Sequence, residues 1–152
     1  MSRMVRAVLA LALGATGGAV AATAPAEAGG PAVMITKIYY DPPGTDTRTN
    51  AKINQEYIEL WNRRVLPTNL YKWWFKDAHG HKYTFTGTFL VQPNRRVVVR
   101  TGKGTNTSTT RYWGMGNYVW NNTGTDTARL YNPNNQLIDT CAYTGGGVYK
   151  TC

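Results

Sequence analysis

The sequence predicts an all-β domain, an antiparallel sandwich or barrel, and three observations carry that expectation. Short runs rich in β-branched and aromatic residues recur along the chain, many alternating apolar with polar positions. Turn-forming residues punctuate them, and the chain holds 16 Gly and 7 Pro. Beyond residue 28 no window offers a sustained helical stripe. Seven or so short strands are expected, too many for a hairpin and enough for two packed layers.

In order, Val33–Tyr40 is β-branched and aromatic and stops at the turn Asp41-Pro42-Pro43-Gly44. Asn54–Asn62 sets Ile58 and Leu60 on one face and Tyr57, Glu59 and Trp61 on the other. Leu70–Asp77 places Trp73 and Phe75 inward, with Lys72, Trp74 and Lys76 outward. Asp77-Ala78-His79-Gly80 then turns the chain, and Lys82–Phe85 returns as the hairpin partner. Arg95–Thr101 has Val97 and Val99 inward and Arg96 and Arg100 outward. Thr125–Tyr131 and Gln136–Tyr143 flank the turn Asn132-Pro133-Asn134-Asn135.

The N-terminus reads differently. Arg3 and Arg6 precede an uncharged run rich in Ala, Leu, Val and Gly from Ala7 to Val20, followed by Ala26-Glu27-Ala28. A basic start, an apolar stretch and an A-x-A site form the secretory signal-peptide pattern, with cleavage expected after Ala28. The most apolar part is too short and too diluted to span a bilayer. The expected product is secreted and extracellular, with no stable membrane association. Cleavage removes two cations and one acid, so the formal charge of +9 falls only to +8. The basic excess therefore belongs to the folded part and calls for an acidic partner.

Export also gives the two cysteines a context. Cys141 and Cys152 are expected to form one disulfide, tying a Gly-rich C-terminal tail (residues 144–152) back to the last strand. Two Cys without a nearby His cannot fill a zinc tetrahedron.

Over residues 33–143 the order of segments resembles the lamin tail domain family. Asn54-Gln55-Glu56-Tyr57-Ile58-Glu59-Leu60-Trp61-Asn62 is similar to the family's "NEYIEL-x-N" strand. Leu70–Asp77 is similar to "L-x-G-W-x-L-x-D", with Trp73 as the core tryptophan. Tyr83-Thr84-Phe85 fits "Y-x-F", and Leu90-Val91-Gln92-Pro93-Asn94 fits the "L-x-P-G" turn before Val97-Val98-Val99. Trp120-Asn121-Asn122-Thr123-Gly124 and Asp126 resemble "W-N-N-x-G-D". Lys72 and Asn94 depart from the pattern where Gly is usual, and Asn tolerates a left-handed backbone well. The resemblance implies an immunoglobulin-like antiparallel β-sandwich. It also implies a non-catalytic binding or scaffold module, which in bacteria accompanies exported proteins.

Several chemistries can be weighed from the residues. Asp77, His79 and His81 fall at period 2 and would offer metal ligands if they shared a strand face, but Gly80 favours a turn there. The one Ser beyond the leader, Ser108, lacks a nucleophile-elbow context. Glu56 and Glu59 sit three apart on one strand and should face opposite sides, unlike a glycosidase pair. Gly102-Lys103-Gly104-Thr105 lacks the first glycine of a phosphate loop. Asp41, Asp46, Asn121 and Asp126 have oxygens suited to calcium but no EF-hand spacing. No cofactor is expected.

The surface pattern points elsewhere. Lys72, Trp74 and Lys76 alternate on one expected strand face, and Arg96 and Arg100 form a second basic stripe. Cations interleaved with an aromatic suit single-stranded nucleic acid or a glycan, although Lys and Arg also guard strand edges. The expectation is a basic face that engages an anionic polymer, extracellular DNA first and cell-wall polymer second. The competing expectation is a small metal-assisted hydrolase using Asp77, His79 and His81.

Overall fold

The computed structural model describes residues 30–152, so the expected leader lies outside the described residues. Two antiparallel layers enclose one core. The first sheet contains β1 (Val33–Tyr39), β2 (Tyr57–Asn62), β7 (Arg96–Arg100), β8 (Thr110–Tyr112) and β11 (Tyr149–Thr151), in the order β11-β1-β2-β7-β8. The second contains β4 (Trp74–Lys76), β5 (Lys82–Thr84), β9 (Thr125–Tyr131) and β10 (Leu137–Thr144), in the order β10-β9-β4-β5. A short ladder of β3 (Thr68–Asn69) and β6 (Leu90–Val91) closes one end. All pairings are antiparallel except β7 with β8.

Alternation explains the layering. In β2 Ile58 and Leu60 are buried while Tyr57, Glu59 and Trp61 face outward, and in β7 Val97 and Val99 are buried between outward positions. In β9 Asp126, Ala128 and Leu130 turn inward. Ile35, Ile38, Ile58 and Val99 from the first sheet meet Phe75, Leu130 and Tyr143 from the second in a single buried cluster. The outer faces of the two sheets therefore look in opposite directions. This is the expected immunoglobulin-like β-sandwich.

Three local expectations are corrected. The run Leu70–Asp77 is a strand only over Trp74–Lys76. Lys72 adopts φ +64°, so a left-handed turn stands where a glycine would make the bend easily. Lys72 is consequently not on one strand face with Trp74 and Lys76. Trp73 is only partly buried against the core, and the fully enclosed indole is Trp120. Residues Asn50–Ile53 make one helical turn (α1), capped by Thr49, and β2 starts after it at Tyr57. Asn94, at φ +56°, keeps its turn as expected.

The C-terminal segment is more than a tail. After the glycines it forms β11, whose Tyr149 and Thr151 pair with Tyr39 and Lys37 of β1. The Cys141–Cys152 disulfide joins β10 of the second sheet to the residue following β11 in the first. It thus staples the two layers rather than pinning a tail to its own strand. Replacing both cysteines by serine is expected to lower unfolding stability by about 3 kcal/mol, the entropy of closing so short a loop. A urea midpoint unchanged from the oxidised protein would contradict this.

Candidate functional site

The outer face of the second sheet is basic by register. Lys76 pairs with Lys82 of β5 on one side and Arg129 of β9 on the other. One row across three strands is therefore cationic, with neighbouring strands about 4.8 Å apart. Like charges placed directly opposite destabilise a sheet, and no carboxylate occupies an outward position of β4, β5 or β9.

The adjacent row is aromatic. Trp74 pairs with Tyr131 of β9, and the rings stack with centroids 3.9 Å apart and planes 6° from parallel. From the other side Lys82 sets its Nζ 4.0 Å from the indole centroid. A hydrogen bond from Trp74 Nε1 to Asn135 Oδ1 (3.1 Å) fixes the ring edge. Both indole faces are therefore engaged, one by Tyr131 and one by an ammonium. The ring acts as a support for Lys82 and is not free to stack on a base. That modifies the expected role of Trp74, while Lys82, Arg129 and Tyr131 join it as residues the sequence did not single out.

Arg96 and Arg100 lie on the opposite, first-sheet face and do not combine with this row. Arg96 Nε is 3.4 Å from Glu59 Oε1, and its guanidinium lies over Trp61. Arg100 donates to the Asn54 carbonyl and lies over Tyr57, which stacks in turn on Tyr39 and through it on Tyr149. Both arginines thus have intramolecular partners. Lys72, exposed and over the Tyr71 ring, belongs to the loops at the end of the sandwich. The five expected residues therefore fall on three surfaces, of which Trp74 and Lys76 share one.

Asp77, His79 and His81 belong to a turn, not to a strand face. Asp77 is buried, and its Oδ1 accepts from the backbone N–H of His79 (3.0 Å) and His81 (2.8 Å). His81 Nδ1 meets Asp77 Oδ2 at 2.5 Å, whereas His79 Nδ1 lies 3.9 Å from it. Gly80, at φ +93°, provides the reversal. Asp126, equally buried, holds the neighbouring loop: Oδ1 accepts from Ala78 and Thr127 N–H, and Oδ2 from Asn121 N–H. Potential ligand atoms of Asp77, His79 and Asp126 lie within 4.8 Å of one another, so a cation would draw on Asp126 in place of His81. These carboxylates already serve as caps for backbone N–H groups. Asp41 and Asp46 are bridged by Asn122 Nδ2, at 3.0 and 3.3 Å.

Glu56 is the other buried acid. Its Oε1 accepts from Thr101 Oγ1 (2.7 Å) and from Val119 and Trp120 N–H, while Oε2 has no hydrogen-bond partner. Burial pushes its carboxyl up to about 7, against those hydrogen bonds, which hold it down. Glu59 faces outward on the other side of β2, as its spacing required.

A two-layer sandwich that displays its distinctive chemistry on sheet faces and end loops is the architecture of a binding or scaffold module. The family model of the lamin tail domain matches residues 26–145, and the chain belongs to that family. No curated protein matches it. The matched motifs acquire physical roles here. The "W-N-N-x-G-D" segment supplies the enclosed Trp120, the left-handed Gly124 (φ +76°) and the capping Asp126.

Proposed function

We propose that the chain is a secreted, non-enzymatic module whose second-sheet face holds the phosphates of an anionic polymer, extracellular DNA in the first place. The observation that carries this reading is the in-register row Lys82–Lys76–Arg129, a cross-strand line of positive charge without an outward carboxylate beside it. An anionic partner relieves the repulsion within that row and releases counterions. With both faces of Trp74 engaged, the face contacts backbone phosphate rather than bases. Binding is thus weak, salt-dependent and indifferent to sequence. Cell-wall polymers with phosphodiester linkages present the same charge pattern and are the second choice.

The test is retention on DNA and heparin resins at low salt. The unaltered protein is retained, and Lys76→Gln/Lys82→Gln/Arg129→Gln is not. Equal retention of both, or none of either, contradicts the reading. Retention on isolated cell-wall polymer but not on DNA assigns the second polymer class.

The metal-assisted hydrolase is supported by the proximity of Asp77, His79 and Asp126. Chelator-sensitive nuclease or phosphatase activity lost in His79→Ala would favour it over the binding module.

A further inference from the structure

The end of the sandwich where β2 finishes and β7 begins combines two features that the sheet face lacks. Exposed aliphatic side chains stand there: Val65 (81% exposed) and Leu66 (67%) in the loop after β2, Leu90 (50%) in β6 and Leu137 (54%) at the start of β10. The same loops carry the exposed cations Arg63, Arg64, Lys72 and Arg95, and Arg96 beside them is paired with Glu59. No carboxylate occurs in residues 63–73, 90–96 or 132–138. Asp41, Asp46, Glu56, Asp77 and Asp126 all lie in or beside the loops of the opposite end, and the acids nearest to this one are Glu59, paired with Arg96, and Asp139, which accepts from Ile35 N–H.

These loops are held together rather than merely adjacent. The buried Asn62 amide donates to the carbonyls of Leu66 (3.0 Å) and Val91 (2.9 Å), and its Oδ1 accepts from Arg64 N–H and Thr68 Oγ1. Trp61 Nε1 donates to Asn94 Oδ1, and Arg63 and Arg96 both lie over the Trp61 ring. A recess of about 370 Å³ brings Arg64 beside Trp73 and Leu137, which connects the turn after β9 to the same end.

We propose that this end docks on an anionic lipid bilayer, with Val65 and Leu66 entering the interfacial region and the flanking arginines on lipid phosphates. Exposed aliphatics rimmed by cations are what an interfacial contact requires, because the apolar tips leave water while the guanidinium groups stay at headgroup level. A nucleic acid would bury those aliphatics only by unstacking a base step, at a cost of roughly a few kcal/mol that a bilayer does not impose, and a second copy would bring the same positive charge to the contact. The acid-bearing end points away, so the charge distribution itself orients the approach. Among the described residues no helix is long and apolar enough to cross a membrane, and the contact is peripheral, reversible and salt-sensitive. It uses a surface other than the Lys76 row and stands independently of the polymer reading.

The experiment is co-sedimentation of the full chain with vesicles of phosphatidylglycerol and phosphatidylcholine, against pure phosphatidylcholine. Binding to the anionic vesicles alone is expected. Arg63→Gln/Arg64→Gln weakens it roughly thirtyfold, given the attraction of each cation near such a surface. Val65→Ser/Leu66→Ser weakens it by roughly tenfold or more, because the apolar transfer is lost. Leu66→Trp adds a sixth indole to the five tryptophans of the unaltered protein. A blue shift on the vesicles in the difference between the two emissions reads insertion in a variant that keeps an apolar tip. Lys76→Gln/Lys82→Gln leaves vesicle binding unchanged. The proposal is overturned by absence of binding, by full binding of the serine variant, by an unshifted tryptophan, or by loss of binding in the Lys76→Gln/Lys82→Gln variant. Duplex DNA binding that depends on Arg63 and Arg64, without vesicle binding, would overturn the proposal and make this end a nucleic-acid contact instead.

Discussion

Asp126→Ala is expected to cost about 2–3 kcal/mol of unfolding free energy, because three part-buried N–H donors lose their acceptor, at roughly 1 kcal/mol each. The Asp126 carboxylate accepts from Ala78 (3.1 Å), Thr127 (2.7 Å) and Asn121 (3.2 Å) backbone N–H groups and is fully buried. Through them it joins the turn after β4 to the loop that enters β9, so its loss loosens both sides of the second sheet at once. Asp126→Asn keeps the Oδ1 acceptor and should cost less, since the Ala78 and Thr127 bonds survive. Denaturant titration of the two variants checks the ranking. A loss below about 1 kcal/mol for alanine would mean that water replaces the carboxylate and that the cap is dispensable.

The second large effect is in pH. Burial raises the Glu56 carboxyl from 4.5 in the unfolded chain to about 7 in the fold, so the folded state binds the proton more tightly. Its protonated form therefore favours folding. Stability from this group is highest below pH ~4.5 and declines as pH rises to about 7, by roughly 3 kcal/mol in all. Glu56→Gln removes that decline and keeps an oxygen for Thr101, Val119 and Trp120. Unfolding curves at several pH values should show the slope between pH ~4.5 and 7 flatten in the variant. An identical slope in both proteins would place the titration elsewhere.

Much of the fold was legible because alternation is a local property. Val97 and Val99 in β7, Ile58 and Leu60 in β2, and the span of β9 follow directly from period 2. The short pieces were not. All three residues of β11 are exposed, so no buried face marks it as a strand, and β8 has three half-buried residues held by a parallel partner. Lys72 shows the opposite failure: alternation continued through Tyr71-Lys72-Trp73 in the sequence, while a left-handed bend interrupts the strand.

The candidate site divides in the same way. Trp74 and Lys76 were visible as alternating neighbours on one strand. Lys82 and Arg129 were not, because their alignment with Lys76 is set by cross-strand register rather than by sequence distance. Arg96 and Arg100 were correctly directed outward, yet a sandwich has two outsides and they occupy the other one. Asp77, His79 and His81 had strand spacing, but Gly80 and the capping role of Asp77 turned that spacing into a reversal.

The central claim is that the Lys82–Lys76–Arg129 row contacts phosphates, and the salt dependence of duplex DNA binding tests it most directly. Three neutralised phosphates predict a slope of log K against log salt of about −2.7, and Lys76→Gln reduces its magnitude by about 1 at every DNA sequence tried. Binding that ignores salt, or a slope left unchanged by Lys76→Gln, contradicts the assignment of this face.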